Sequence, residues 1–136
     1  MPVNGKLEGM WQVMSIEHEG VFTDLKDQKV YWSFQLNLVQ LSSSLNGYTR
    51  MYARFIRDKN ELDFYDFVYN SENALESDNN EWVSPENSSV LNRWAIYSDS
   101  DPNNNGRIKI KYTIKTINDS FLIVENAHDT ILLRKF

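Results

Sequence analysis

The chain of 136 residues contains no cysteine. This absence excludes disulfide bonds, thiolate nucleophiles, zinc–thiolate centres and iron–sulfur clusters. The sequence also lacks any run of about 18 consecutive apolar residues, so it predicts no membrane-spanning helix. Its formal net charge is −5, and a domain-wide positive potential is therefore missing. Since binding to phosphate backbones depends on such a potential, we expect no nucleic-acid partner.

What the chain does contain is a large share of residues that suit a folded core. Hydrophobic residues make up 41% of the sequence and aromatic residues 13%. Aromatic side chains favour the half-buried face of a β-sheet. A chain of this length buries roughly two-thirds of the surface that it exposes when unfolded. We therefore predict one domain, over residues 1–136, with a hydrophobic core of its own.

Three segments, residues 29–41, 48–57 and 107–115, alternate between apolar and polar residues with the period of a β-strand. Residues 29–41 carry apolar side chains at every second position from Val30 to Leu38, and we interpret them as one long strand. Residues 107–115 do the same with isoleucine and Tyr112 opposite a row of lysines. We interpret the lysine row as a solvated outer face, because a strand that binds nucleic acid needs aromatic residues on that same face.

Further strand-like segments follow at intervals of 8 to 12 residues, separated by turn residues such as Asn46-Gly47. This spacing is typical of an all-β sandwich or barrel. Residues 70–91 are polar and long for a connection, which indicates a functional loop or a small helix. Ser84-Pro85 is a typical helix start. We predict a single up-and-down antiparallel β-barrel of about eight strands, with one short helix before Trp94; the role of the 70–91 loop is left open.

Several short pieces of the chain resemble the lipocalin-like (calycin) proteins, and most closely the small lipocalin-like proteins of Bacteroidetes. The resembling pieces are residues 7–13 with Gly9 and Trp11, residues 34–36, residues 94–96 after the predicted helix, residues 121–124 and residues 132–136. The resemblance covers most of the chain as an order of elements. It implies a bacterial origin and the eight-stranded barrel already indicated by the spacing.

The resemblance also implies how the barrel closes. In that fold a Gly-x-Trp tryptophan closes the base, and a basic side chain of the last strand lies across its ring. Gly9 and Trp11 match the first part, and Arg134 matches the basic residue. Lys135 competes with Arg134, because a shift of one residue in strand register exchanges the two faces. A cation above an indole ring contributes roughly 0.5–2 kcal/mol.

The alternating segments and the resemblance together predict an inner face. We expect its ligand-binding part to comprise Trp32, Phe34, Gln35, Met51, Ala53, Phe55, Phe64 and Tyr112, and we also expect Leu36 to point inward. An eight-stranded barrel is either filled by side chains or holds one small ligand. The large aromatic residues favour a filled barrel, whereas Ala53 and the flexible Met51 favour some space.

These residues lead to a functional hypothesis with one alternative. The leading function is non-catalytic binding of a small hydrophobic ligand inside the barrel, without a cofactor. Gln35, Tyr52 or Tyr112 would supply polar groups at the mouth. The alternative is a packed barrel that serves as a protein-interaction or structural module, on the cell surface or in the periplasm, through outer aromatic residues such as Tyr31, Tyr52 and Trp82; the protein partner is unknown.

No catalytic or metal-binding constellation stands out. The sequence lacks a Gly-x-Ser-x-Gly motif, and the acidic pairs Asp63/Asp66 and Asp99/Asp101 show no spacing that specifies a glycosidase. We therefore expect no enzyme. Residues 99–110 resemble a calcium loop, but Asn104 replaces the required glycine and Ile110 the required glutamate, and an Asx-rich hairpin turn explains them. We interpret His18 and His128, the only two histidines, as surface residues at strand ends.

Localisation is left open at this point. Many relatives of the resembling type are lipoproteins anchored by an N-terminal cysteine, which this chain lacks. We expect a periplasmic or outer-membrane-anchored protein if a leader was removed, and a cytoplasmic one otherwise.

Overall fold

The computed structural model describes residues 5–43, 49–69, 83, 85–97 and 108–136. These residues form nine strands, namely β1 (Gly9–His18), β2 (Val21–Asp24), β3 (Val30–Gln35), β4 (Leu38–Ser43), β5 (Thr49–Asp58), β6 (Glu61–Tyr69), β7 (Lys109–Ile117), β8 (Phe121–Glu125) and β9 (Asp129–Lys135). Three 3₁₀ helices accompany them, η1 (Gly5–Leu7), η2 (Lys26–Gln28) and η3 (Pro85–Trp94).

Eight of the nine strands close into an antiparallel barrel. From β3 to β9 each strand pairs with the next one along the chain, and β1 closes the ring by pairing with both β3 and β9. The additional strand β2 pairs with the last four residues of β1, beyond the stretch of β1 that pairs with β3. The predicted all-β, up-and-down barrel of about eight strands is confirmed.

The prediction of one long strand over residues 29–41 is wrong. The chain reverses at Leu36 and Asn37, and β3 and β4 form a hairpin in which Gln35 faces Leu38. Leu36 adopts the left-handed conformation, with φ 56°, and is 71% exposed, so it does not point inward as expected. The apolar alternation continues through this turn, and neither glycine nor proline marks it, which is why the sequence pattern concealed it.

A β-bulge explains the irregular pattern of β1. Its register against β9 shifts between Val13 and Ser15. Before the bulge Trp11 and Val13 point inward, and after it the inward position moves to Ile16; all three are buried. Such a bulge inserts one residue and reverses the parity of the following side chains.

The other elements follow the sequence pattern more closely. β7, the hairpin of β8 and β9, and the short helix that ends at Trp94 are confirmed. Along β7, Ile110, Tyr112 and Ile114 are buried while the intervening side chains are exposed. Several sequence predictions lie outside the described residues: the turn at 46–47, the capping residue Ser84, Trp82, most of the 70–91 loop, and residues 99–107.

Candidate functional site

The end of the barrel at which β1 begins is closed by Trp11. Its side chain is fully buried, and its indole N–H donates a hydrogen bond to the carbonyl of Leu7 at 2.9 Å. The ammonium of Lys135 lies 4.6 Å from the centroid of the Trp11 ring and also donates to the carbonyl of Glu8 at 2.5 Å. These contacts tie η1, β1 and β9 together.

The expectation that Arg134 covers Trp11 is therefore wrong, and Lys135 takes this place. In the register between β1 and β9, Lys135 lies opposite Trp11 and Arg134 opposite Gln12. Arg134 is exposed, and its guanidinium donates to the Gln12 side chain at 3.4 Å. Gly9 has a φ of +115°, and a Cβ atom there would lie 2.5 Å from the Lys135 ammonium. A side chain at position 9 would thus displace the cation.

We expect Lys135→Met to lower the free energy of unfolding by about 1–2 kcal/mol, because it removes the cation above Trp11 and the donor to Glu8. Arg134→Met, next to it on the exposed face, is the matched control and should change stability by at most about 0.5 kcal/mol. Urea denaturation of both variants measures the difference. An equal effect of the two changes would contradict the assignment of Lys135 as the closing residue.

The structure places seven of the eight predicted ligand-binding residues on the buried inner face: Trp32, Phe34, Met51, Ala53, Phe55, Phe64 and Tyr112. Gln35 is the exception and the expectation for it is wrong. Since side chains alternate along β3 and both Trp32 and Phe34 point inward, Gln35 points outward, where it is exposed. Whether the other seven bind a ligand stays a prediction.

The middle of the barrel is filled by aromatic rings. Phe64 lies at its centre, with its ring centroid 5.2 Å from that of Trp32, 5.9 Å from Phe34 and 5.6 Å from Tyr112. Phe55 extends the cluster at 5.1 Å from Phe34. The rings meet edge to face or tilted, as aromatic quadrupoles prefer. We therefore expect space for a ligand at the open end of the barrel and not in its middle.

The open end, where β1 ends and β9 begins, is covered by η3 and the residues after it. Leu91, Trp94 and Ile96 are buried to at least 99%. The indole N–H of Trp32 donates to the carbonyl of Trp94 at 2.9 Å, so the barrel wall holds the end of η3 directly. A 3₁₀ helix of ten residues is unusual, because its hydrogen-bond geometry is poorer than that of an α-helix. Packing against the barrel therefore stabilises η3.

Three polar side-chain atoms in this region are buried without a hydrogen-bond partner: the hydroxyl of Tyr112, Nε1 of Trp94 and Oδ2 of Asp129. Burial, and next the charge of Asp129, raises the pKa of the Tyr112 hydroxyl. The phenol therefore stays protonated and is both a donor and an acceptor. Of these three residues only Tyr112 was predicted, since apolar alternation reveals neither the end of η3 nor a buried aspartate.

The two histidines join the β1–β2 turn to the β8–β9 loop through reciprocal pairs. Nδ1 of His18 lies 2.5 Å from Oδ1 of Asp129, and Nδ1 of His128 lies 2.8 Å from Oε1 of Glu19. His128 and Glu19 are both exposed, as expected for a surface pair. The Asp129 side chain is instead fully buried, and the His18 ring stacks on Tyr97 at 3.9 Å and 18°. His18 is thus more than a surface residue.

A cleft of about 250 Å³ opens beside these groups. Its lining residues are Tyr97, Lys109, Ile110, Lys111, Asn126, Ala127 and His128. The cleft exists because the register between β7 and β8 begins at Thr113, which leaves residues 109–112 of β7 without a partner strand on that side. It shares Tyr97 with the His18 stack and reaches the residue that precedes Asp129.

Metal and phosphate chemistry find little support in this part of the chain. The described ranges hold no group of three or more potential metal-ligating side chains. They also include no helix with the length and apolar character needed to cross a membrane.

On the outer face of β7, Lys109 lies 3.9 Å from Asp63 and Lys115 3.4 Å from Glu125, so acidic neighbours partly balance the charge of the lysine row.

An eight-stranded antiparallel barrel, closed at one end by a tryptophan under a cation and covered by a helix at the other, defines a lipocalin-like protein. The model of the lipocalin-like domain matches residues 1–136, and the chain belongs to this family.

Two solved structures share the fold. A lipocalin-like protein from Bacteroides uniformis is 17% identical, with a TM-score of 0.64 over 97% of this chain and 100% of that one. An uncharacterized protein from Bacteroides eggerthii is 13% identical, with a TM-score of 0.66 over 96% and 99% of the two chains. Comparison with curated protein sequences finds no match.

Proposed function

We propose that the protein binds a small, mainly apolar molecule, without catalysis, at the open end of its barrel beneath η3. The observation that carries this proposal is the hydroxyl of Tyr112, which is buried among aromatic rings without a hydrogen-bond partner. A buried polar group without a partner costs about 1–3 kcal/mol. A ligand that supplies the partner would offset this cost.

The surroundings of Tyr112 have the composition of a small-molecule site. Such sites combine apolar and aromatic walls with a few polar groups that orient the ligand. Here Trp32 and Phe64 flank the Tyr112 ring, with centroids at 5.9 and 5.6 Å. The neighbouring cleft, which is lined by Ile110 and Tyr97 and not by Tyr112, has about 250 Å³, just below the 300–1,000 Å³ typical of ligand pockets. Both features favour a small ligand over a long lipid chain.

Access to Tyr112 requires η3 to move. The indole N–H of Trp32 donates to the carbonyl of Trp94 and so joins the end of this helix to the barrel wall, and Leu91 and Trp94 add apolar burial. Apolar contacts are non-directional, so a ligand with an apolar body replaces them, and the indole N–H of Trp32 then becomes a donor for the ligand. These contacts support binding beneath η3.

Native mass spectrometry of the protein purified from its own host tests the proposal first. We expect a co-purifying mass that disappears on denaturation. If only the ligand-free mass is found, a panel of small apolar compounds follows, with binding measured by thermal shift. A chain that remains ligand-free in both experiments would contradict the proposed function and favour a packed barrel that acts through its surface.

We expect Tyr112→Phe to weaken the affinity for the identified ligand about 5–10-fold, because one neutral hydrogen bond contributes about 0.5–1.5 kcal/mol. The same change should leave the ligand-free protein as stable as before or slightly more stable, since it removes an unpartnered hydroxyl. Tyr52 lies between the inward-facing Met51 and Ala53 of β5, so its half-buried side chain points outward and does not supply a polar group at the mouth. Tyr52→Phe is therefore the matched control and should leave affinity unchanged. Isothermal calorimetry measures the affinities. Equal affinities in wild type and Tyr112→Phe would contradict a role for the hydroxyl.

A further inference from the structure

We propose that Asp129 makes the open end of the barrel selective for ligands that carry an ammonium group, and against ligands that carry an ionised carboxylate. This inference rests on the proposed binding function and specifies the chemical class of its ligand. The juxtaposition behind it is a fully buried carboxylate with one free oxygen, a buried hydroxyl on the same inner face, and a cleft that is lined by His128, the residue before Asp129, and not by the two buried groups themselves.

The strand pattern of β9 directs Asp129 into the barrel. Side chains alternate along a strand, and Asp129 shares its face with Ile131 and Leu133, both fully buried. Its Oδ1 atom is held by His18, whereas Oδ2 has no hydrogen-bond partner. An ionised carboxylate offers about four lone-pair positions to donors. The free oxygen is therefore an acceptor prepared for a donor group that the described residues do not supply.

The charge of Asp129 decides which donor suits the site. Among the buried residues of the described ranges none is a lysine or an arginine. A buried carboxylate that is incompletely paired is unfavourable, and an ammonium ion at its free oxygen relieves this by a charge-assisted hydrogen bond. A ligand carboxylate at the same place would instead meet a like charge in a medium of low dielectric constant.

The lysines at the cleft do not reverse this preference. The side chains of Lys109 and Lys111 are exposed on the outer face of β7, and Lys109 lies near Asp63. Solvent and salt screen exposed charges strongly, whereas a buried charge is screened far less. The selectivity of the site is therefore set by Asp129.

The neighbouring groups fit the rest of such a ligand. Tyr112 and Asp129 are both buried on the inner face of the barrel, and the charge of Asp129 is, after burial, the second cause of the raised pKa of the Tyr112 hydroxyl. The phenol oxygen of Tyr112 is a second acceptor for an ammonium ion. Tyr97, stacked on His18 and lining the cleft, offers an aromatic surface to the apolar body. An aromatic ring on a short chain that ends in an amine combines these features.

Three probes with the same aromatic body separate the head groups: 2-phenylethylamine, 2-phenylethanol and phenylacetate. Calorimetry at pH 8, where the probe amine is protonated and the probe carboxylate is ionised, measures their affinities. We expect the amine to bind at least about tenfold more tightly than the carboxylate, with the alcohol between them. Asp129→Asn should reduce this ratio to about twofold or less, whereas the control Glu19→Gln, which neutralises an exposed carboxylate, should preserve it.

Each outcome is decisive. Equal or tighter binding of phenylacetate would overturn the inference, and so would a ratio that Asp129→Asn leaves unchanged. If none of the three probes binds while another apolar compound does, the selectivity inference is overturned and the proposed binding function is retained. If no compound binds, both the inference and the proposed function are contradicted. The wild-type ratio needs no variant, so the test holds even if Asp129→Asn folds poorly.

Discussion

Replacing Phe64 by alanine should lower the free energy of unfolding by about 3–5 kcal/mol, the usual range for a buried phenylalanine. Phe64 is fully buried at the centre of the aromatic cluster, with Trp32, Phe34, Phe67 and Tyr112 around it at centroid distances of 5.2–6.5 Å. Alanine would remove the edge-to-face contacts and leave a cavity that the strands, held by their ladders, cannot close. Since domains of this size are stable by only about 5–15 kcal/mol, the loss is a large fraction of the total.

The matched control for this change is Phe22→Ala in β2. Phe22 is 67% exposed on the strand that lies outside the barrel. Its truncation should alter stability by no more than about 0.5 kcal/mol. Guanidinium denaturation, followed by tryptophan fluorescence, compares the two variants. A loss below about 1.5 kcal/mol for Phe64→Ala would mean that the barrel interior is loosely packed, which would move the expected ligand position from the open end to the middle.

The sequence was sufficient to predict the barrel because its signals are local. The alternation along β7 and the hairpin of β8 and β9 can be recognised from residues that are close together in the sequence. Both predictions are confirmed. The turn at Leu36 was missed for the same reason. An apolar residue in the left-handed conformation carries no local signal, and the hydrogen bond from its N–H to the Glu8 carboxylate comes from a distant part of the chain.

The choice between Arg134 and Lys135 shows a second limit. Two adjacent basic residues at the end of a strand point to opposite faces, and the bulge between Val13 and Ser15 sets which residue lies opposite Trp11. The position of a bulge depends on pairing across the barrel seam. A single sequence contains no measure of that register, so both residues had to remain candidates.

The open end was the least predictable part. The sequence placed His18 beside Glu17 and Glu19, and His128 beside Asp129. Closure of the barrel gives each histidine a different acidic neighbour, because β1 and β9 are antiparallel and the end of β1 lies beside the start of β9. Each histidine then pairs with an acid from the other segment. The buried carboxylate on which ligand selectivity depends is thus a product of topology.

His18→Leu should lower the free energy of unfolding by about 3 kcal/mol. The change removes the hydrogen-bond donor to Oδ1 of Asp129, and a buried acceptor left without its partner costs about 1–3 kcal/mol, or more when it is charged. Leucine keeps much of the volume beside Tyr97, so the change mainly removes the donor to Asp129. His128→Leu is the control: its pair with Glu19 is exposed and contributes about 0–1 kcal/mol.

The double variant His18→Leu/Asp129→Leu separates charge from packing. If the loss in His18→Leu comes from an unpaired carboxylate, removal of that carboxylate should restore most of the stability, because apolar replacement of both partners is often neutral. Urea denaturation of the single and double variants at pH 8 measures the coupling. A double variant as unstable as the sum of the two single changes would show that Asp129 needs no partner. Its free oxygen would then offer no energetic reason to prefer an ammonium ligand.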